Sequence, residues 1–472
     1  FPRSDTRPAA SGVLRAGAIV VAGLTSAMNI GKLPPALPVL QAHFQLSLVQ
    51  VSWMVSLFML GPALIGSIAG SVADRFDARR TMIAGLLLSA ATSVFGAFAS
   101  SPGLLFASRA LESVGYLMTV LPAPALIAHL VPRVQLRGWL AVWSAYMPAG
   151  MGIALLATPA LMALIDWSGV WLVGGALSAL AAALVALVHP AARGDGESPA
   201  AAQRTRIAPL MRQTLGAWRP WLLALCFLFY AGQFTAIFSF LPSIYQDAGL
   251  SPQWSASLTA VAVMLSMVGN LAAGFLLQRG VSRGALVVFA SLAMAACEWL
   301  AFGSPFAFAW RYAAILLFAT VAGIIPGTMF ATVPFYAPSQ ATISTTVGMM
   351  QQGSSLGQLL LPPAVAALAQ YTGGWTSIWI ATAAAAMVTV AIGWEMARVS
   401  RSRRWSRHLG PRLRTRRDPR GLALVARDQV ADHVVGGAVE LLDLHRLERE
   451  GIGRAVGRDR HAGHQAVDLH AI

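Results

Sequence analysis

GSVADRFDARR, residues 70–80, sets Asp74, Arg75, Asp77, Arg79 and Arg80 in a short loop between two long apolar runs. Gly66 and Gly70 put two small residues one helical turn apart, which lets a neighbouring helix approach closely. So short a loop keeps its charges beside the helix ends, where they can pair with charges on a second bundle. Three arginines by themselves would orient the chain in a membrane, but topology gives no reason for Asp74.

A degraded copy follows 204 residues on. In GFLLQRGVSRG (274–284), Gly274, Arg279 and Arg283 repeat Gly70, Arg75 and Arg79, while Gln278 replaces the acid. The register holds on both sides of the loop. LPVLQAHFQLS (37–47) lies over LPSIYQDAGLS (241–251), Pro122 over Pro326, and Leu155, Leu156, Pro159 and Ala160 over Leu359, Leu360, Pro363 and Ala364. Two similar halves suit alternating access, in which one bundle rocks against the other around a site near the midplane.

The surrounding chain is built for lipid. The AVILMFWYC set makes up 56% and charged residues 11%, against roughly a quarter charged in soluble domains. Apolar runs long enough to span a bilayer as helices fall at 16–40, 49–72, 81–100, 102–131, 138–164, 168–189, 220–245, 253–277, 284–303, 305–334, 341–369 and 374–397. The expected fold is therefore an all-α membrane protein of twelve transmembrane helices in two pseudo-symmetric six-helix bundles. A cytoplasmic N-terminus (1–15), a first bundle (16–189), a cytoplasmic linker (190–219) and a second bundle (220–397) precede a tail (398–472). Arginines occupy every other connection, at 75, 79, 80, 133, 137, 193, 204, 206, 212, 219, 279 and 283. By the positive-inside rule both termini lie in the cytoplasm, in a multi-pass protein of the cell inner membrane. The first run is too long for a signal peptide, and a start upstream of Phe1 is expected.

The 70–80 loop resembles the signature loop of the major facilitator superfamily, matching it at Gly70, Asp74, Arg75, Asp77, Arg79 and Arg80, and 274–284 sits where that family has its second copy. The resemblance implies the family's two-bundle fold and a gate at the inner face whose charge pairs break when the protein opens inward. Other segments match in part. MNIGKLPPALP (28–38) is similar to the first-helix motif of drug–proton antiporters, with Asn29 where that motif has an acid. YMPAGMG (146–152) keeps only Pro148, Gly150 and Gly152 of the antiporter motif. RALESVG (109–115) resembles the Arg-x-x-Gln-Gly motif linked to proton coupling, with Glu112 and Ser113 in place of Gln and Gly. The wording of LPAPALI (121–127) and QQGSSLG (351–357) resembles the cyanate-permease-like branch.

Ionisable groups inside the membrane are costly and point to function. They are Lys32, Arg109, Glu112, Glu298 and Arg311, with Lys32 the single lysine of the chain. Lys32 either snorkels to the outer surface or lines a site. Arg109 and Glu112 share a helix face at i, i+3, as a structural ion pair or as a pair for which substrate and proton compete. Arg311 mirrors Arg109 at an offset of 202, although Trp310 and Tyr312 also fit an interfacial belt, and Glu298 beside Trp299 reads as interfacial. Asn29 and Gln233 correspond at 204, and by the resemblance both helices line the central cavity. Gln351 and Gln352 complete the substrate-binding candidates, with Arg109 and Glu112 for proton coupling.

The excluded classes follow from what the chain lacks. Cys226 and Cys297 fall inside apolar runs, giving no disulfide or zinc framework, and no cofactor or metal is expected. No paired catalytic groups indicate an enzyme, and no phosphate loop indicates ATP. The formal net charge of +15 splits into 18 basic and 10 acidic side chains in 1–397 and 16 arginines and 9 acids in 398–472, so no nucleic-acid partner is expected. That tail reads either as an Arg-rich, disordered segment touching anionic lipid or as the product of a frameshift. The expected protein is a monomeric secondary transporter of a small polar or anionic solute, coupled to protons, with proton-linked export of drugs or metabolites as the alternative.

Overall fold

The computed structural model describes residues 8–64, 66, 77–132, 135–136, 139, 142–143, 145–188 and 207–414, without the side chains of 8–11, 207 and 400–414. Gly70, Asp74 and Arg75, the linker arginines at 193, 204 and 206, and the tail beyond 414 lie outside the described residues. The described chain is helical and contains no strand. Nine helices or joined helices among these residues are long and apolar enough to cross a membrane.

The first crossing is made of α1 (Pro8–Gly31) and α2 (Leu33–Phe44), broken at Lys32. Pro34 and Pro35 offer no N–H to the preceding turn, so the helix restarts there. Ser47 caps α3 (Leu48–Ser56) in a reciprocal capping box with Gln50, at 3.2 and 2.9 Å. Asp77 caps α4 (Ala78–Ala97) by accepting from the Arg80 N–H at 2.9 Å. The fourth crossing is α5 (Pro102–Val120) followed by α6 (Ala123–Leu130), parted at Pro122. Helix α7 (Tyr146–Val188) contains a true break at Ile165 and Asp166, the latter at φ 60° with its carboxylate accepting from the Trp167 N–H at 2.7 Å. That break falls in the interval expected between the fifth and sixth crossings.

After α8 (Ile207–Leu215) the second half repeats this plan. It comprises α9 (Trp218–Asp247), α10 (Pro252–Gln278), α11 (Arg283–Glu298), α12 (Phe308–Ala322), α13 (Ile324–Tyr336), α14 (Ile343–Thr372) and α15 (Ile378–Arg414). Ser251 caps α10 as Ser47 caps α3, and the crossing containing Pro326 is broken at Gly323 as its partner is at Pro122. Helix α14 is not among the nine apolar spans, since Gln351, Gln352, Gln358 and the Pro362–Pro363 pair temper its hydropathy. Helix α15 runs past the expected limit at 397 to Arg414; arginine is a good helix former.

Packing follows the repeat. Helix α1 lies along α7 and α9 lies along α14, each through small residues. A Cβ on Gly150 would sit 2.5 Å from the Leu24 carbonyl oxygen and 2.6 Å from the Ala27 Cβ, so glycine sets that approach. Helices α4 and α5 meet at Gly85 and Gly115, where a Cβ on Gly85 would be 2.7 Å from the Gly115 oxygen. Between the halves, α7 packs on α10, α3 on α14 and α2 on α9. Gln352 Nε2 donates across that boundary to the Ala63 carbonyl at 2.8 Å.

Candidate functional site

The break at Lys32 turns its side chain into the first bundle, where three helices meet it. Its ammonium donates to Asn29 Oδ1 at 2.9 Å, to Ser93 Oγ at 2.8 Å and to Glu112 Oε1 at 3.0 Å. All three ammonium hydrogens are thereby committed. The Trp171 ring lies 4.8 Å from Nζ, within cation–π range. Lys32 is 3% exposed, so snorkelling is corrected: partners inside the bundle hold the charge.

Arg109 enters from the other side of the same carboxylate. Its Nη1 donates to Glu112 Oε2 and, at 3.0 Å, to the Asn29 carbonyl oxygen freed near the helix break. The guanidinium lies 4.6 Å from the Phe58 ring centre. Glu112 is fully buried and Arg109 nearly so, which makes the i, i+3 pair a core feature. One carboxylate thus answers two cations. The described residues contain no other ion-pair partner for Lys32 or Arg109, leaving one positive charge uncompensated in the cluster.

Four members escaped the reading from sequence. Ser93 relays the Lys32 bond by donating to the Trp171 carbonyl at 2.8 Å, and Ser178 Oγ accepts from Asn29 Nδ2 at 3.0 Å. Gly174 supplies room, since a Cβ there would lie 2.8 Å from Asn29 Oδ1 and 3.2 Å from Lys32 Nζ. The signal that could have found Ser178 is the repeat. Asn29 reaches Ser178 and Gln233 reaches the Thr382 carbonyl at 3.0 Å, and both residues of the first pair lie 204 positions before those of the second.

The second bundle keeps this neutral framework and loses the charges. At the same offset Ser93 becomes Cys297, Gly174 becomes Ile378, Lys32 becomes Ala236, Arg109 becomes Ala313 and Glu112 becomes Leu316. Its acid comes from elsewhere. Glu298 is fully buried and accepts from Gln233 Nε2 at 2.6 Å, which corrects its interfacial placement. A π-helical turn, Trp299–Gly303, carries the span beyond it, and Trp299 takes the outward face at 47% exposure.

The remaining candidates disperse. Arg311 stands in the first turn of α12, half-buried, with Nε donating to the Ala301 carbonyl at 2.6 Å, and no described contact makes it the mirror of Arg109. Gln351 is exposed, whereas Gln352 spends its amide on Ala63. At the inner face Arg79 Nη2 docks on the Ala186 carbonyl at 2.9 Å, at the end of α7, while Arg80 is exposed. Arg283 lies 3.9 Å from the Phe335 ring centre and Arg279 lies 4.2 Å from that of Phe275. A Cβ on Gly274 would meet nothing within 4 Å, so this glycine marks no close approach here.

Comparison with known proteins adds an independent line. The family model described as Major Facilitator Superfamily matches residues 19–354. Monocarboxylate transporter 11 of Mus musculus is 27% identical over 385 residues, covering 78% of this chain and 83% of its own. The 3-(3-hydroxy-phenyl)propionate transporter of Escherichia coli is 28% identical over 331 residues, covering 67% and 78%. Shorter matches, to sugar–proton symporters and to drug-resistance and efflux proteins, span 33% of this chain or less. A bacterial homologue of the human lysosomal transporter Spinster, solved in an inward-facing and unoccupied conformation, superposes with a TM-score of 0.69 at 16% identity, over 83% of this chain and 98% of that one.

Proposed function

The chain belongs to the Major Facilitator Superfamily and is a transporter rather than an enzyme, and from that premise we propose that it carries a small organic carboxylate across the inner membrane together with a proton. The observation that carries this reading is the sharing of one buried carboxylate, Glu112, by Lys32 and Arg109. A buried cluster with one excess positive charge favours an anion over a neutral solute, because bringing in a negative charge completes the pairing. Monocarboxylate transporter 11 and the 3-(3-hydroxy-phenyl)propionate transporter, which each match two thirds or more of the chain, are named for carboxylates, which agrees with the electrostatics. The cyanate-permease-like wording of 121–127 and 351–357 points to small anions as well.

The substrate carboxylate competes with Glu112 for Lys32 and Arg109. Asn29 supplies a neutral donor in the same cluster, and Gln233, Gln351, Gln352 and Arg311 are second-rank candidates for contact. Once displaced, the Glu112 carboxylate loses its cations and takes up a proton, so anion and proton move together. The protein works as a monomer with twelve crossings and cytoplasmic termini. Three observations support that count beyond the nine apolar spans: the break at Ile165–Asp166, the apolar helix Leu48–Leu64 and the 30-residue helix α14. The two bundles rock about this site, with Gly70, Asp74, Arg75, Asp77, Arg79 and Arg80 and their copies Gly274, Arg279 and Arg283 forming the inner gate.

Initial rates of labelled phenylpropionate and lactate uptake into proteoliposomes, with protein-free vesicles subtracted, test the proposal. Saturable uptake stimulated by an acidic exterior is expected, with arabinose neither carried nor competing. Arabinose uptake without carboxylate uptake would overturn it.

A further inference from the structure

The anion site leaves one buried acid unused. Glu298, at the end of α11, is sealed from solvent, and its Oε1 accepts from Gln233 of α9. Its Oε2 is buried and completes no hydrogen bond of good geometry among the described residues, and the Thr382 hydroxyl of α15 is the further polar group facing this carboxyl. The second hydrogen of the Gln233 amide goes to the Thr382 carbonyl of α15, so this amide is fixed in place from both sides.

Cations on the surrounding elements are engaged elsewhere. Arg311 of α12 donates to the Ala301 carbonyl, and Arg283, at the opposite end of α11, lies against Phe335. On α15, Arg398 pairs with Glu395 at 3.1 Å. Asp247, ending α9, accepts from Trp375 Nε1 at 2.8 Å, and the Tyr312 hydroxyl of α12 donates to the Leu258 carbonyl. Cys297, the preceding residue on the same helix, adds a buried thiol, and α9 also carries the buried Cys226, Tyr230 and Tyr245. No ion pair reaches Glu298 among the described residues.

An ionised carboxylate sealed from water without a cation is far more costly than a neutral carboxylic acid with one good hydrogen bond. Glu112 is the opposite case, held between two cations. We propose that Glu298 is a second proton-binding site, placed in the C-terminal bundle apart from the anion site, which is protonated in this conformation and releases its proton when that bundle opens to water. On release the Oε2–H bond breaks and water accepts the proton. The electron pair stays on the carboxylate, which keeps the Gln233 bond at Oε1, and the reverse transfer reloads the site from the other side of the membrane. This rests on the proton-coupled reading above and deepens it: the N-terminal half holds the anion and one proton, and the C-terminal half holds a second.

Infrared difference spectroscopy of the full chain in proteoliposomes, titrated with acid and base, reads the carbonyl stretch of a protonated carboxyl group directly. The band is expected in the parent protein at neutral pH, absent in Glu298→Gln and present in Glu112→Gln. Labelled phenylpropionate then separates exchange from net uptake. Glu298→Gln mimics the protonated acid, so exchange between loaded sides persists while stimulation of net uptake by a gradient of one pH unit falls from up to about a hundredfold, the limit for two protons per anion, to at most about tenfold, the limit for the one proton left on Glu112. Glu298→Asp, which keeps an acid, restores part of that stimulation. A band that survives in Glu298→Gln, or unchanged acid stimulation of net uptake in that variant, overturns the proposal. Absence of phenylpropionate exchange in the parent protein refutes the carboxylate reading instead, and the infrared comparison still decides whether Glu298 holds a proton.

Discussion

At the centre of the N-terminal bundle Asn29 is tied to Ser178, and at the centre of the C-terminal bundle Gln233 is tied to the backbone at Thr382, 204 residues later in each case. On that shared frame the first bundle gathers Lys32, Arg109 and Glu112, while the second puts Ala236, Ala313 and Leu316 at the same places and takes a single acid, Glu298, from a different helix position. Duplication preserved the neutral hydrogen bonds, which hold helices in register whatever is transported. The charges diverged, and in the proposed function they decide which ligand each half takes. A membrane makes that division sharp, because an unpaired charge inside it has no water to fall back on.

The largest test of this contrast is Glu112→Gln. It leaves Lys32 and Arg109 buried without their counter-ion, and a loss of about 3–5 kcal/mol of stability is expected in denaturant titrations of the protein in bicelles. Lys32→Met combined with Glu112→Gln removes one charge of each sign and should recover more than half of that loss. If the single and double variants are equally unstable, the cluster is not held by its charge balance.

Gly174→Ile copies Ile378 of the second bundle into the first. Its Cβ alone would crowd Asn29 and Lys32, so a cost of about 1–3 kcal/mol and loss of saturable carboxylate uptake are expected. Retained uptake would mean that the space beside Lys32 is dispensable.

Ser178→Ala and Thr382→Val probe the shared frame itself. The first removes the acceptor of Asn29 Nδ2 and should lower stability by about 1 kcal/mol. The second leaves the Gln233 bond intact, since that bond goes to the backbone carbonyl, and should be milder in the same titration. Equal effects would show that the two halves depend on side chains alike. The smallest change expected is Arg79→Ala, about 0.5–1.5 kcal/mol from the lost bond to the end of α7, measured as a shift in the same midpoint.

Much of this was legible in the chain. The apolar runs and the 204-residue register foretold paired halves, and the i, i+3 spacing of Arg109 and Glu112 foretold their bond. Lys32 and Glu298 were harder. Each is close to the end of an apolar run, where a long side chain can as well reach the interface. Their true partners, Ser93 and Glu112 for the one and Gln233 for the other, are 61 to 80 residues away in sequence.

The sequence by itself determined that this chain lives in lipid, that it consists of two related halves, and where its polar candidates stand along the helices. Hydropathy and repetition are written locally, in each run and each offset. Only the tertiary structure decided that Lys32 turns inward at a proline-bounded break, that two cations share one carboxylate, and that Glu298 is sealed without a cation. Those outcomes depend on which helix faces meet, and a buried charge takes its meaning from the partners that packing brings to it.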